Sequence, residues 1–317
     1  MIGVVCLNPA LDITHHVAAV DWAGVNRPSA VYARPGGKGL NVARTLRAIG
    51  AEVLVMGLTG GVTGTGVESA LSELLVPTAF TRISGETRRT FAVVDGRTGG
   101  SALFNEPGPR VGVAEFGEFS VAYERALAGC AAVVLSGSLP PGLPADTYAR
   151  LIEMAAAARV PAVLDAHGEA LLRGAAARPA IVKPNLAELE ALAGRRLSTA
   201  RGADRPAVAA TARELRAAGA QAVVASLGAD GLLAATEDGS WQATPPAAVD
   251  GNATGAGDAV AAGLVHGLVL GRPWDERLRH AVALGTAAAA APVAGEFSHA
   301  DYTSVLGTVA VHREEAP

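Results

Sequence analysis

The sequence predicts an α/β protein built on a mostly parallel sheet flanked by helices, and three observations carry that expectation. Short apolar runs alternate with helical patterns along most of the 317 residues. Several of those runs end in polar or turn residues, as at Leu7-Asn8-Pro9, Ser136-Gly137-Ser138, Asp165 and Lys183-Pro184-Asn185. With 50% hydrophobic and 18% charged residues, the chain can bury a core large enough for one big α/β domain or two smaller ones.

The apolar runs place strands at Ile2 to Leu7, Val53 to Leu58, Ala131 to Ser136, Ala162 to Asp165, Ala180 to Lys183 and Ala222 to Leu227. Leu232 to Thr236 adds a late strand, read as antiparallel. Between strands lie helices such as Lys38 to Ile49, where Leu40, Ala43, Leu46 and Ile49 share a face and Gly50 supplies the stop. Two segments break the alternation, at about 12–34 and 87–106. The second holds the β-rich Thr90-Phe91-Ala92-Val93-Val94 and a Gly-Arg-Thr-Gly-Gly turn. They read as strands of a small accessory sheet, a lid placed to cover a substrate and exclude water. No long linker, repeat or low-complexity tail divides the chain, so residues 1–317 are expected to form a single domain.

Composition excludes several classes. A formal net charge of -4 and a pI near 6.0 leave no electrostatic footprint for nucleic acid or an anionic membrane. An anionic ligand must therefore be held by local donors. Cys6 and Cys130 both lie in apolar surroundings, which suits buried free thiols better than a disulfide framework or thiolate metal site. The segment Met1 to Leu7 lacks a basic flank and is too short for a signal peptide, and the Ala-rich run from Thr286 to Ala291, ended by Pro292, is too short to span a bilayer. A cytoplasmic protein is expected.

The most chemically pointed stretch is Asn252-Ala253-Thr254-Gly255-Ala256-Gly257-Asp258, followed by a small apolar helical run from Ala259 to Leu270. A Gly-Ala-Gly turn opening a helix aims unpaired backbone N–H groups at one point, where the helix dipole also favours negative charge. An Asp beside such an anion seat suits a carboxylate placed to take a proton from an attacking hydroxyl. In isolation the same Asp would also serve as a helix cap. Pro35-Gly36-Gly37-Lys38-Gly39-Leu40-Asn41-Val42-Ala43-Arg44 supplies a second pattern. Its glycines let the backbone approach a ligand closely, and the helix that follows carries Asn41 on its first turn, able to donate to and accept from sugar hydroxyls.

Together with Asn8-Pro9-Ala10-Leu11-Asp12, Ser136-Gly137-Ser138-Leu139-Pro140, Lys183-Pro184-Asn185 with Glu188, and Ser226-Leu227-Gly228, these motifs make the chain resemble the PfkB family of the ribokinase superfamily. Within it, the resemblance is to the branch holding 1-phosphofructokinase, tagatose-6-phosphate kinase and the minor 6-phosphofructokinase. It runs over nearly the whole sequence and implies a ribokinase-like three-layer sandwich with a small β-sheet lid. It also implies roles. Asp258 would be the general base, with Gly255, Ala256 and Gly257 forming the turn that holds the transferring phosphoryl charge. Asp12, Gly37 and Asn41 would contact sugar hydroxyls. Lys38 and Arg88 would face the substrate phosphate, with Arg89 and Arg27 as weaker candidates, and Ser138 would touch substrate. Lys183, Asn185, Glu188, Ser226, Gly228 and Gly231 would line the ATP side. Asn185 and Glu188 would organise Mg2+ largely through water.

The chain departs from the branch in places. Ala253 stands where the signature usually has Ser, Thr, Pro or Val, and Ala166-His167 stand where hydroxyl residues commonly precede Gly168-Glu169-Ala170-Leu171. His167 is read first as a surface histidine, with a nucleotide or substrate contact as the alternative. No arginine near Leu103 to Gly108 matches the additional phosphate contact of the minor 6-phosphofructokinase, which disfavours fructose 6-phosphate. The expected activity is ATP-dependent phosphorylation of a ketohexose phosphate, fructose 1-phosphate first and tagatose 6-phosphate next. A kinase for an unphosphorylated sugar or nucleoside and a non-catalytic sugar sensor are the alternatives. A dinucleotide-binding reading of Gly64-Thr65-Gly66 fails because Ser69 stands where the third glycine belongs. The half-apolar lid leaves edges that a second copy would cover, so a homodimer through the lid is expected.

Overall fold

The computed structural model describes residues 1–197, 204–246, 254–291 and 295–314. Asn252, Ala253 and Pro292, named above, lie outside the described residues. The main sheet has ten strands: β1 (Ile2–Cys6), β4 (Val53–Thr59), β5 (Thr78–Arg82), β8 (Ala132–Ser136), β9 (Ala162–Asp165), β10 (Ile181–Val182), β11 (Val223–Ser226), β12 (Leu232–Thr236), β13 (Gly239–Thr244) and β14 (Ala310–Glu314). Their order is β14-β13-β12-β11-β10-β9-β8-β1-β4-β5. From β11 to β5 every pairing is parallel, while β12, β13 and β14 add on antiparallel.

Alternation along the strands builds two cores, because successive side chains point to opposite faces. Ile2, Val4 and Cys6 of β1 face one layer, Val5 the other. The first layer is made by α1 (Lys38–Ala48), α2 (Gly61–Glu73), α8 (Ala256–Val269), α9 (Trp274–Ala290) and α10 (His299–Leu306). The second is made by α3 (Val113–Leu127), α4 (Thr147–Ala157), α5 (Gly168–Ala176), α6 (Leu186–Ala193) and α7 (Arg205–Ala217). The result is the three-layer α/β arrangement that the sequence predicts.

All seven sequence-predicted strands fall within one residue of their expected ends, β10 being trimmed at both ends to Ile181–Val182. The sequence gives no sign of β5, β13 and β14. Thr-Ala-Phe-Thr-Arg and Gly-Ser-Trp-Gln-Ala-Thr carry too few apolar residues to stand out, because they lie at or near a sheet edge with one face in contact with solvent.

A second sheet of four strands has the order β3-β2-β6-β7, with β2 at Ala10–Val17, β3 at Ala30–Gly36, β6 at Arg88–Asp95 and β7 at Ser101–Asn105. It departs from the carboxyl end of β1, where Asn8 and Pro9 connect directly into β2. Ala10 of β2 pairs with Arg88, the first residue of β6. The small sheet is thereby fixed beside the carboxyl edge of the large one. Cys6 is buried, with burial pushing its thiol up to about 11, and Cys130 is half-buried; neither forms a disulfide.

The turn after β8 is braced from the helix layer. Tyr148 of α4 is fully buried, and its hydroxyl donates to the Gly137 carbonyl at 3.1 Å. Replacing it in Tyr148→Phe leaves that carbonyl without its donor. The expected cost is about 1 kcal/mol of stability, read as a lower Cm with unchanged m in urea unfolding.

Candidate active site

Parallel register brings the strand-end residues into one row. Ser136 pairs with Asp165, and Leu164 pairs with Val182, so Asp165 and Lys183 follow side by side. One step further, Asn185 bridges to Ser226. Apolar strands with polar carboxyl ends therefore place a line of functional groups along one edge, where open α/β sheets bind ligands.

Asp165 and Lys183 are almost completely buried. Asp165 Oδ1 receives two ammonium groups, Lys38 Nζ at 3.2 Å and Lys183 Nζ at 3.4 Å, and Lys38 also lies 3.8 Å from Glu188 Oε1. Asp165 Oδ2 is buried without a hydrogen-bond partner. Burial opposes the charge on Lys38, but Asp165, Glu188 and Asp258 outweigh it and raise its pKa.

Asp258 is the third residue of α8 and is buried. Gly255, at φ 87, turns the chain into the helix through the left-handed region that favours glycine. The first bond of the helical ladder is Ala259 N–H to Gly255 C=O at 3.0 Å, so the N–H groups of Ala256, Gly257 and Asp258 precede it. A methyl group placed on Gly257 would lie 3.6 Å from Lys183 Nζ, which sets that ammonium beside the same helix end. Asn41 Nδ2 donates to Asp258 Oδ2 at 2.8 Å. Burial first, and then the Asp165 charge, push the Asp258 carboxyl up to about 7 against the opposing pull of Asn41, Lys38 and Lys183.

Asp12 lies on β2 opposite Thr90 of β6. Burial raises its pKa, opposed by the Thr90 hydroxyl, Arg88 and Arg44. Gly36 lies beside it, where a Cβ would overlap the Asp12 carboxylate unless that side chain moved. Gly37 caps α1 at φ 99, and Lys38 and Asn41 occupy the first turn of that helix.

A cavity of about 390 Å³ lies between the small sheet and the edge of the large one, lined among others by Asn8, Lys38, Arg88, Glu106, Ser138 and His167. Arg88 directs its hydrogen bonds to the carbonyls of Asn8 (3.2 Å) and Glu106 (3.3 Å). Asn8 Nδ2 donates to Ser138 Oγ at 3.0 Å and to the Pro107 carbonyl at 3.1 Å. Arg89 is engaged outside this cavity, pairing with Glu106 at 3.2 Å and lying over the Phe91 ring. Arg27 is exposed in the connection from β2 to β3, apart from the cavity lining.

On the far side of the edge, Asn185 caps α6 reciprocally with Glu188. Glu188 N–H donates to Asn185 Oδ1 at 2.9 Å, and Asn185 N–H donates to Glu188 Oε2 at 2.8 Å. The two residues thus have a structural task already. Ser226 ends β11, Gly228 starts a short 3-10 turn, and Gly231 follows at φ 82.

Asp165, the hub of the ion network, is absent from the residues singled out for chemistry by sequence. Its signal was a carboxylate closing an apolar strand, noted there only as a strand end. Asn8 is likewise a motif residue whose bond to Ser138 only the fold reveals. His167, read as a surface histidine, is exposed but lines the cavity.

The pfkB family carbohydrate kinase model matches residues 5–300. The chain belongs to the PfkB family. It is 34% identical over 289 residues to 1-phosphofructokinase of Bacillus subtilis (strain 168), covering 91% of this chain and 92% of that protein. Phosphofructokinase-2 from Escherichia coli in complex with potassium superposes with a TM-score of 0.88 at 29% identity, covering 97% of this chain and 98% of the other. A possible 1-phosphofructokinase from Thermotoga maritima gives 0.87 at 27% identity, covering 99% and 100%. This PfkB chain is a carbohydrate kinase, a phosphotransferase acting on a sugar hydroxyl.

The buried Asp258 has a measurable signature in stability. Its folded-state pKa of about 7 lies above the ordinary aspartate value of 3.8. The stability it contributes is therefore fully present below about pH 4 and is lost as pH rises through about 7. Asp258→Asn removes that loss. The variant is expected to melt above the wild type at pH 8, by roughly 2–4 °C for each kcal/mol relieved, with the gap closing toward pH 4 in calorimetric scans.

Proposed function

We propose that this PfkB kinase transfers the γ-phosphoryl group of ATP to a ketohexose that already carries a phosphate, with fructose 1-phosphate as the acceptor and fructose 1,6-bisphosphate as the product. The observation that carries the acceptor class is Arg88, a guanidinium in the 390 Å³ cavity whose hydrogen bonds go to carbonyl groups and not to a carboxylate. The 34% identity to a protein named 1-phosphofructokinase supports the choice within that class. Tagatose 6-phosphate and fructose 6-phosphate are the next acceptors to test, followed by unphosphorylated sugars and nucleosides. A sugar sensor without turnover is disfavoured by the assembled Asp258 site.

In this reading the acceptor lies between Asp12, Gly37 and Asn41 on one side and Arg88 and Ser138 on the other. Asp258 accepts the proton of the attacking hydroxyl, and its pKa near 7 suits a base working at neutral pH. The N–H groups of Ala256, Gly257 and Asp258 stabilise the charge on the transferring group, with Lys183 beside them. Asn41 orients the base through its 2.8 Å bond. Lys183, Asn185, Ser226, Gly228 and Gly231 form the nucleotide side. Among the described residues no group of three His, Cys, Asp or Glu gathers to hold a metal. That suits Mg2+, which takes one or two carboxylates and completes its shell with phosphates and water. Glu188 and Asn185 would hold it through water, and its charge would offset that on the phosphates.

The small sheet supports a homodimer. Val31, Tyr32, Leu103 and Phe104, on its two edge strands, are each more than half exposed. A tetrameric inhibited form of phosphofructokinase-2 from Escherichia coli is among the structural relatives, at a TM-score of 0.86. Residues 1–317 then act as one kinase domain with the small sheet as its lid, in the cytoplasm; among the described residues no helix is long and apolar enough to cross a membrane.

Steady-state kinetics across these acceptors test the assignment. Fructose 1-phosphate should give the highest kcat/KM, and equal activity on unphosphorylated fructose would remove the phosphate-bearing acceptor. Asp258→Asn should lower kcat by about 10²–10⁴, and wild-type kcat/KM should fall as pH drops through about 7. For assembly, light scattering should report a dimer at micromolar concentration, and Leu103→Glu with Phe104→Glu should shift it to monomer.

A further inference from the structure

We propose that His167 is a ligand for the acceptor's existing phosphate and thereby selects phosphorylated over unphosphorylated sugars. The inference rests on the kinase reading above and deepens it at the same site. Ser136 and Asp165 are register partners on β8 and β9, and Gly137 N–H donates to the Asp165 carbonyl at 3.0 Å. Two residues beyond that pair, Ser138 and His167 leave the sheet on neighbouring strands, and both line the 390 Å³ cavity with Arg88. His167 occupies the N-cap of α5 in extended conformation, φ -134 and ψ 165, and its side chain does not cap the helix. The ring is exposed and available to a ligand.

The charges around it say which ligand. Lys38 reaches the cavity, but its ammonium is shared between Asp165 and Glu188. Glu106 is the carboxylate among the lining residues, and its oxygens accept from Arg89 N–H (2.7 Å) and Arg89 Nη2 (3.2 Å). Arg88 directs its hydrogen bonds to carbonyls and not to a carboxylate, although the charges of Asp12 and Glu106 lie within its reach, and a phosphate presents three terminal oxygens. Imidazole carries an N–H donor in either protonation state, and Ser138 adds a hydroxyl. Arg88, His167 and Ser138 together supply donors from separate elements to one phosphate group.

His167 also borders a second cavity of about 480 Å³ between α5 and α6. That cavity is walled by Leu171, Leu172 and Ala191 and by the carboxylates of Glu169 and Glu188. Without a bridging cation these apolar and acidic walls oppose the acceptor's phosphate, and Asn185 and Glu188 among the lining residues belong to the nucleotide side proposed above. The histidine's favourable partner is thus on the Arg88 side, and the ring forms the partition between the two spaces.

The test uses the full chain with His167→Ala and His167→Gln, the latter retaining an N–H donor. Calorimetric titration with fructose 1-phosphate, and KM for the same sugar, should both weaken roughly 10-fold or more in His167→Ala, as loss of a hydrogen bond to a charged group implies. KM for ATP should not move, binding of unphosphorylated fructose should not change, and His167→Gln should recover much of the loss. Unchanged affinity for the sugar phosphate would overturn the proposal, as would a rise confined to the KM for ATP. If wild type binds no phosphorylated hexose, the acceptor assignment fails on its own. Titration with inorganic phosphate then decides His167, which must weaken that binding when replaced by Ala if the proposal holds.

Discussion

The site is organised by one buried carboxylate oxygen. Asp165 Oδ1 holds both Lys38 and Lys183, and the same charge raises the pKa of Asp258. Taking these groups out of water is costly unless they compensate one another. The strand register that puts Asp165 next to Lys183, the α1 helix that brings in Lys38 and Asn41, and the α8 helix that delivers Asp258 are mutually dependent. Removing Asp165 would leave two lysines without their shared partner, one of them nearly inaccessible to solvent. Loss of either lysine would leave Asp165 and Asp258 facing each other with less positive charge between them.

That arrangement joins groups on both sides of the sheet edge through one helix start. Lys38 opens α1 and reaches the acceptor cavity, yet it pairs with Asp165 and with Glu188 of α6, on the far side of the sheet edge. Asn41, one turn on, bonds Asp258. The first turn of α1 therefore ties the 390 Å³ cavity, Asp258 of α8 and Glu188 of α6 together. In phosphoryl transfer, where positioning and electrostatic stabilisation supply most of the catalysis, rigidity of this kind is the useful property.

Much of this was legible in the sequence because strand ends and glycine turns carry local signals. Asn8, Ser136, Asp165 and Lys183 each interrupt an apolar run, and each is found at the carboxyl edge. The four strands of the small sheet interrupt the βα alternation, and they lie at 10–17, 30–36, 88–95 and 101–105. Side-chain pairing was not legible. Asn41 was expected to contact sugar hydroxyls and is found bonded to Asp258, 217 positions away. Arg88 and Arg89 are neighbours of equal charge, and strand alternation alone sends them to opposite faces: Arg88 enters the cavity, while Arg89 meets Glu106 and Phe91. Nothing in the local sequence says which of the two faces inward until the register with β2 is known.

The raised pKa of Asp258 follows from the same geometry and has a mechanistic direction. A carboxylate that is costly to ionise is a better proton acceptor once ionised than one at the ordinary aspartate value, so the burial that destabilises the folded chain would favour the base role proposed for Asp258. Asn41 and the two lysines moderate the effect; without them burial and Asp165 would hold the proton on Asp258 at neutral pH. Lys38 and Lys183 share the same carboxylate oxygen of Asp165. Any movement of either ammonium away from Asp165 would leave more uncompensated negative charge beside Asp258 and raise its pKa further. In the proposed reaction this would couple phosphate binding to the basicity of Asp258 through Asp165, a residue that itself need touch neither the acceptor nor the transferring group.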